Sequence, residues 1–144
     1  MCIRDSSNNH LCGIWNDDED KDGIIQGEYT AERITAIADA LGVNGGLTSL
    51  NLSDNALCGV VRTFGESDDE SGTYTAEGIT AIADALRING GLTSINLSNN
   101  QLCGVWTDHH RNSHGNFQHG TYTAEGITAI ADAMRVNGLL TKIE

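Results

Sequence analysis

The chain has 144 residues, 20 acidic and 8 basic side chains, and a formal net charge of −12. That balance argues against a nucleic-acid surface, which needs a cationic footprint, and no apolar run reaches membrane-spanning length. The length suits one domain, and with two Phe and no Pro the interior must come from Leu, Ile and Ala.

Residues 1–6, MCIRDS, read as a non-native leader. Aligning Cys12 with Cys58 sets Arg4 and Ser6 against Leu50 and Leu52, so the apolar pattern fails up to Ser6 and is regular from Ser7-Asn8-Asn9. A first insertion follows, from Trp15 to Tyr29. In it Asp18, Asp20, Asp22 and Gly23 spell D-x-D-x-D-G, the opening of a calcium loop. Such a loop ends on a bidentate Glu at its twelfth position. Here that position is Tyr29, and Glu28 falls one short. A solvated acidic loop is therefore the main expectation, and a calcium site on Asp18, Asp20, Asp22 and Glu28 the alternative.

From Tyr29 the chain reads YTAERITAIADAL, which returns as YTAEGITAIADAL at Tyr74 and YTAEGITAIADAM at Tyr122, 45 and 48 residues apart. Ile79, Ile82, Ala83 and Leu86 recur at i, i+3, i+4 and i+7, an amphipathic helical stripe. Ile34, Ile37, Ala38 and Leu41 repeat it, as do Ile127, Ile130, Ala131 and Met134. Thr75 suits the N-cap, and Glu77 complements the helix dipole. Asn89-Gly90 suits a C-terminal stop, Gly taking the left-handed conformation cheaply.

Between these helices lie NGGLTSLNLSDNALCG at 44–59 and NGGLTSINLSNNQLCG at 89–104. Leu47, Leu50, Leu52, Asn55 and Leu57 space as L-x-x-L-x-L-x-x-N-x-L, and Leu92, Ile95, Leu97, Asn100 and Leu102 copy the offsets. Alternation in a strand buries Leu50 and Leu52 and turns Ser49, Asn51 and Ser53 outward, with Ser94, Asn96 and Ser98 matching them. Asn9, Asn55 and Asn100 are placed to form a ladder that satisfies backbone groups where the chain bends. A second insertion, around Phe64, holds Glu66, Asp68, Asp69 and Glu70 and reads as a solvated loop. The third carries Trp106, His109, His110, His114, Phe117 and His119. Its spacing fits no closed zinc site, so a flexible polar loop is expected, one that gains charge as pH falls through the His range.

The leucine spacing, the Asn and the following AEGITAIADALR helix resemble the leucine-rich repeats of the ribonuclease-inhibitor class. Those repeats also occur in the sensing arms of NOD-like receptors and in repeat proteins of algae and other protists. The resemblance implies an α/β solenoid, or horseshoe, with parallel strands on the concave side, helices on the convex side and an inserted loop in each repeat. Family repeats run about 20–29 residues, so each unit here is longer by its insertion. The expected divisions are a partial repeat 7–46, repeats 47–91 and 92–139, and a truncated strand 140–144. Neighbouring repeats of a longer chain are then expected partners.

Cys12, Cys58 and Cys103 are equivalent positions. Buried reduced thiols in a cytoplasmic compartment are expected of them; Cys2 falls in the leader. No nucleophile elbow, P-loop or Cys–His pairing is present. The expected function is a non-catalytic protein-interaction scaffold with an unidentified protein partner, no cofactor, no nucleic acid and no membrane insertion. The row Ser49, Asn51, Ser94 and Asn96 lacks the Trp, Tyr and Arg anchors of strong interfaces. Specificity is therefore expected in the insertions, at Trp15, Phe64, Trp106 and Phe117, although Trp15 and Trp106 also share a column with Val61 that suits packing under the loop. The alternative function is a calcium-responsive module built on the first insertion.

Overall fold

A computed structural model describes residues 2–3, 11–16, 25–60, 73–109 and 116–144. Three helices recur at the three YTAE copies: α1 (Glu32–Val43), α2 (Glu77–Ile88) and α3 (Glu125–Val136). Each begins the same way. The helix N–H of Glu32, Glu77 or Glu125 donates to the hydroxyl of the Thr two residues earlier, at 3.3 Å. The residue adjoining α2 is Ala76, so the Thr75 hydroxyl caps from one position further out than the pattern suggests.

Short strands alternate with the helices. β1 (Cys2–Ile3), β4 (Ser49–Asn51), β5 (Ser94–Asn96) and β8 (Lys142–Ile143) form one parallel sheet in the order β1-β4-β5-β8. Ser49 pairs with Ser94, Leu50 with Ile95 and Asn51 with Asn96. The helices follow the same order, α1 packing on α2 and α2 on α3. Leu50, Leu52, Ile95 and Leu97 from the sheet side join Ile34, Ile79, Ile82 and Leu86 in one buried cluster. Burying such side chains is the main source of stability, about 1.5–3 kcal/mol each.

The register of β1 differs from the alignment on Cys12. Ile3, not Arg4, stands opposite Leu50, and Cys2 opposite Ser49. A one-residue shift exchanges the two faces of a strand, and this one puts an apolar residue in the leucine column in place of a charged one.

Two other expectations are corrected. Ser53 is buried, not turned outward. β4 ends at Asn51, and the chain then enters left-handed conformations at Asp54 (φ 58°) and Ala56 (φ 54°), which end the alternation. Gly90 is not what stops α2. The chain leaves the helix at Asn89 in an extended conformation, with φ −67° and ψ 125°. The Asn89 Oδ1 accepts from the N–H groups of Gly91 and Leu92, at 3.0 and 2.6 Å.

The insertions are more regular than loops where they are described. β2 (Ile14–Asn16) and β3 (Ile25–Gly27) form an antiparallel pair, as do β6 (Val105–His109) and β7 (Asn116–Gly120). Every insertion leaves and rejoins its coil at one hydrogen bond: Thr30 N–H to Cys12 O at 2.9 Å, Thr75 to Cys58 at 2.9 Å, Thr123 to Cys103 at 3.0 Å. The glycine after each Cys makes this closure fit. At Gly59 φ is +76°, and a Cβ would stand 2.4 Å from Thr73 O. Among the described residues, no helix is long and apolar enough to cross a membrane.

Candidate functional site

The sheet's outer row is the first surface to consider. Ser49, Asn51, Ser94 and Asn96 are half-buried and in register. The two asparagine carbonyls are engaged locally. Asn51 Oδ1 accepts from Ser53 N–H at 3.0 Å, and Asn96 Oδ1 accepts from Ser98 N–H at 2.9 Å and from the Ser98 hydroxyl at 2.8 Å. This turn-forming use of Asn is common. It leaves a row of small polar groups with little to grip a partner. Lys142 continues the row opposite Ser94 and pairs with Glu144 at 2.6 Å.

Behind that row lies the asparagine ladder. Asn100 is buried, and its Oδ1 accepts from the N–H groups of Asn55 and Leu57, both at 3.1 Å. Its Nδ2 donates to Leu52 O at 2.8 Å and Leu97 O at 3.0 Å. Asn55 is equally buried, with its Nδ2 donating to Ser53 O at 2.9 Å. Asn100 thus ties two adjacent strand–helix units together, so its role is structural. Asn9 lies outside the described residues.

A second ladder runs along the helix ends, where the sequence suggested only a glycine stop. Asn89 Nδ2 donates to Leu41 O and Asn44 O, at 2.6 and 2.8 Å. Asn137 Nδ2 repeats the bond to Leu86 O at 2.6 Å. Its signal was visible: Asn44, Asn89 and Asn137 recur at the unit spacing.

A third chain of contacts joins coil to coil through tyrosine. The Tyr29 hydroxyl donates to Leu57 O at 3.1 Å and accepts from Gly78 N–H at 3.2 Å. Tyr74 does the same with Leu102 O and Gly126 N–H, both at 3.2 Å. Burial pushes both phenols above their ordinary range. It also pushes the Cys12 thiol up to about 11 and the Cys58 thiol to about 12, against an ordinary 9.0. Such thiols stay protonated at neutral pH and are poor nucleophiles and metal ligands. Cys12, Cys58 and Cys103 are free, but Cys103 is only half-buried, unlike the expectation for it.

The insertions hold the aromatic candidates. Trp15 lies in β2 opposite Gln26, Trp106 in β6 opposite His119, and Phe117 in β7 opposite Asp108. His109 pairs with Asn116 at the far end of the same ribbon. Antiparallel pairing brings Trp106, Phe117 and His119 onto one short ribbon, which sequence distance does not reveal. Phe64, Asp18, Asp20, Asp22, His110 and His114 lie outside the described residues. Glu28 is exposed just after β3. Among the described residues, no three His, Cys, Asp or Glu side chains converge as metal ligands would.

The sequence reading missed one further feature. An open groove of about 1030 Å³ runs between α1 and α2, floored by Ala36, Ala81 and the neighbouring threonines and walled by Glu32, Asp39, Glu77 and Asp84. Equivalent carboxylates from both helices line it, a setting that suits basic side chains. Arg87 lies 3.5 Å from Asp84; the matching position beside Asp39 is Gly42. No protein-family model, curated protein or solved structure matches the chain.

Proposed function

We propose that the chain is a non-catalytic protein-interaction scaffold, a leucine-rich-repeat solenoid whose sheet and helices hold the insertions in place for recognition. The observation that carries this reading is the contrast between its surfaces. The sheet row is small, polar and locally hydrogen-bonded, whereas Trp15, Trp106 and Phe117 sit on ribbons anchored to the coil at the Thr–Cys bonds. Interfaces draw their energy from aromatic and arginine anchors held on rigid supports. The partner is a protein, and the acidic charge favours one with a basic face. Three free cysteines fit a reducing, cytoplasmic setting.

The test compares two sets of variants of the full chain as bait in quantitative cross-linking. Trp106→Ala with Phe117→Ala should deplete the specific partners at least tenfold. Asn51→Ser with Asn96→Ser should leave them within twofold. The reverse pattern would move recognition to the sheet.

A further inference from the structure

The asparagine that ends each helix is followed by glycine: Asn44-Gly45, Asn89-Gly90 and Asn137-Gly138. In an Asn–Gly pair the glycine nitrogen readily attacks the side-chain amide before it, because no Cβ shields the approach. The structure places a tie between neighbouring units on that same amide. Asn89 is buried. Its Nδ2 donates to Leu41 O and Asn44 O at the end of α1, and its Oδ1 accepts from the N–H groups of Gly91 and Leu92. Asn137 repeats the arrangement, with Nδ2 donating to Leu86 O and Oδ1 accepting from Leu139 and Leu140.

These four bonds act on the amide in two ways. Attack on Asn89 Cγ turns a planar carbon tetrahedral, and the amide resists that change while its nitrogen and its oxygen are both held. The bonds to α1 also require an amide. A carboxylate has no N–H to donate, so it would set oxygen against Leu41 O and Asn44 O and leave a buried charge unpaired. Gly91 and Leu92 would still find an acceptor. The helix end would keep its cap and lose its tie. Gly90 itself is exposed, with nothing within 4 Å of where a Cβ would stand, so water reaches it.

We propose that Asn89-Gly90 is a deamidation site guarded by the joint it closes. The amide survives while α1 and α2 are joined. Once they part, it converts to a carboxylate that does not rejoin them. Asn137-Gly138 is the same device between α2 and α3. The step needs only water and hydroxide. Hydroxide takes the proton of Gly90 N–H, and the nitrogen pair bonds to Asn89 Cγ. The Cγ–Nδ2 bond breaks, and Nδ2 leaves as ammonia with a proton from water, which regenerates hydroxide. Water then opens the five-membered imide at either carbonyl, giving aspartate or isoaspartate. Nothing is oxidised or reduced. The inference concerns contacts between units and stands independently of which surface recognises the protein partner.

Peptide mapping by mass spectrometry decides it on the full chain. The protein is held at one pH and temperature, in buffer or in guanidinium chloride above its unfolding midpoint. Aspartate and isoaspartate at Asn89 and Asn137 should form at least tenfold faster in the denaturant. Equal rates would show that the joint guards nothing. Gly90→Ala puts its Cβ into open space and should fold as the wild type does. It should slow the denatured reaction at Asn89 at least tenfold and leave Asn137 unchanged; an unchanged rate at Asn89 would remove the glycine nitrogen from the chemistry. Returned to buffer, the deamidated fraction, separated by ion exchange through its added negative charge, should unfold at a lower denaturant concentration than the unreacted fraction. Asn89→Asp should shift the midpoint the same way. A deamidated fraction as stable as the unreacted one would show that the tie does not require the amide and would overturn the proposal.

Discussion

α2 and α3 share the sequence EGITAIADA and live in different surroundings. In α2 the stripe Ile79, Ile82, Ala83 and Leu86 is wholly buried. In α3 Ile130 and Ala133 are buried, but Ile127, Ala131 and Met134 are exposed. Local sequence cannot account for this, because it is the same. What differs is the number of neighbours: α2 packs between α1 and α3, whereas among the described helices α3 packs on α2. An apolar side chain stabilises only when its surface leaves water, so identical residues contribute unequally along the stack. The apolar stripe of α2 therefore contributes more to stability than the matching stripe of α3.

The comparison can be broken most severely at the ladder. Asn100→Ala removes the partner of two buried N–H groups and three carbonyls. At 1–3 kcal/mol for each orphaned group, less what water restores, the loss should be about 4 kcal/mol. Urea unfolding measures it, and a loss under about 1 kcal/mol would mean that the ladder does not couple the coils. The next largest effect is the matched pair. Ile79→Ala should cost about 3 kcal/mol and Ile127→Ala about 1 kcal/mol or less, although both sit in the same nine-residue sequence. Equal losses would show that the two helices are packed alike.

The third effect appears at alkaline pH. Cys12 and Cys58 are raised in the folded state, to about 11 and about 12. Their unfolded thiols ionise first, so the unfolded state sheds protons before the folded one. Stability from this source is complete below pH 9.0 and is lost as pH rises toward 11 and 12. With each group contributing a slope of ~1.4 kcal/mol per pH unit above 9.0, unfolding at pH 10 should be easier by about 3 kcal/mol than at pH 8. Replacing both with Ala should flatten the profile in that window. A profile that is already flat in the wild type would show that the inner thiols are solvated. Iodoacetamide sharpens the contrast between coils, since half-buried Cys103 should be alkylated before Cys58.

Much of this arrangement is legible in the letters. The helix stripe at Ile79, Ile82, Ala83 and Leu86 and the parallel partners Leu50 and Ile95 follow from periodicity, because the periods of helix and strand are set by the backbone. The ladder position of Asn100 follows from its place after the strand. The rest depends on where distant segments meet. Nothing local distinguishes Ile127 from Ile79. The ribbon at Trp106 and Phe117 is written in residues of mixed polarity, with no alternation strong enough to announce it. Asn89 was overshadowed by the adjoining glycine, a common helix stop, while its bond to Leu41 O reaches across 48 residues. The groove acids Glu32 and Glu77 look like ordinary solvated charges until their helices lie side by side. For the candidate site, sequence named the aromatic residues but not their pairing.

The Thr–Cys bond at the base of each insertion has a consequence for how such a chain can vary. From Cys12 to Thr30, Cys58 to Thr75 and Cys103 to Thr123 the detours span 18, 17 and 20 residues, yet each returns to the same hydrogen bond. By the loop-closure relation, going from the shortest to the longest costs only about 0.1 kcal/mol. The frame is therefore nearly blind to what it carries, and the detours behave as interchangeable cassettes, open to lengthening, replacement or grafting while the coils beneath keep their register.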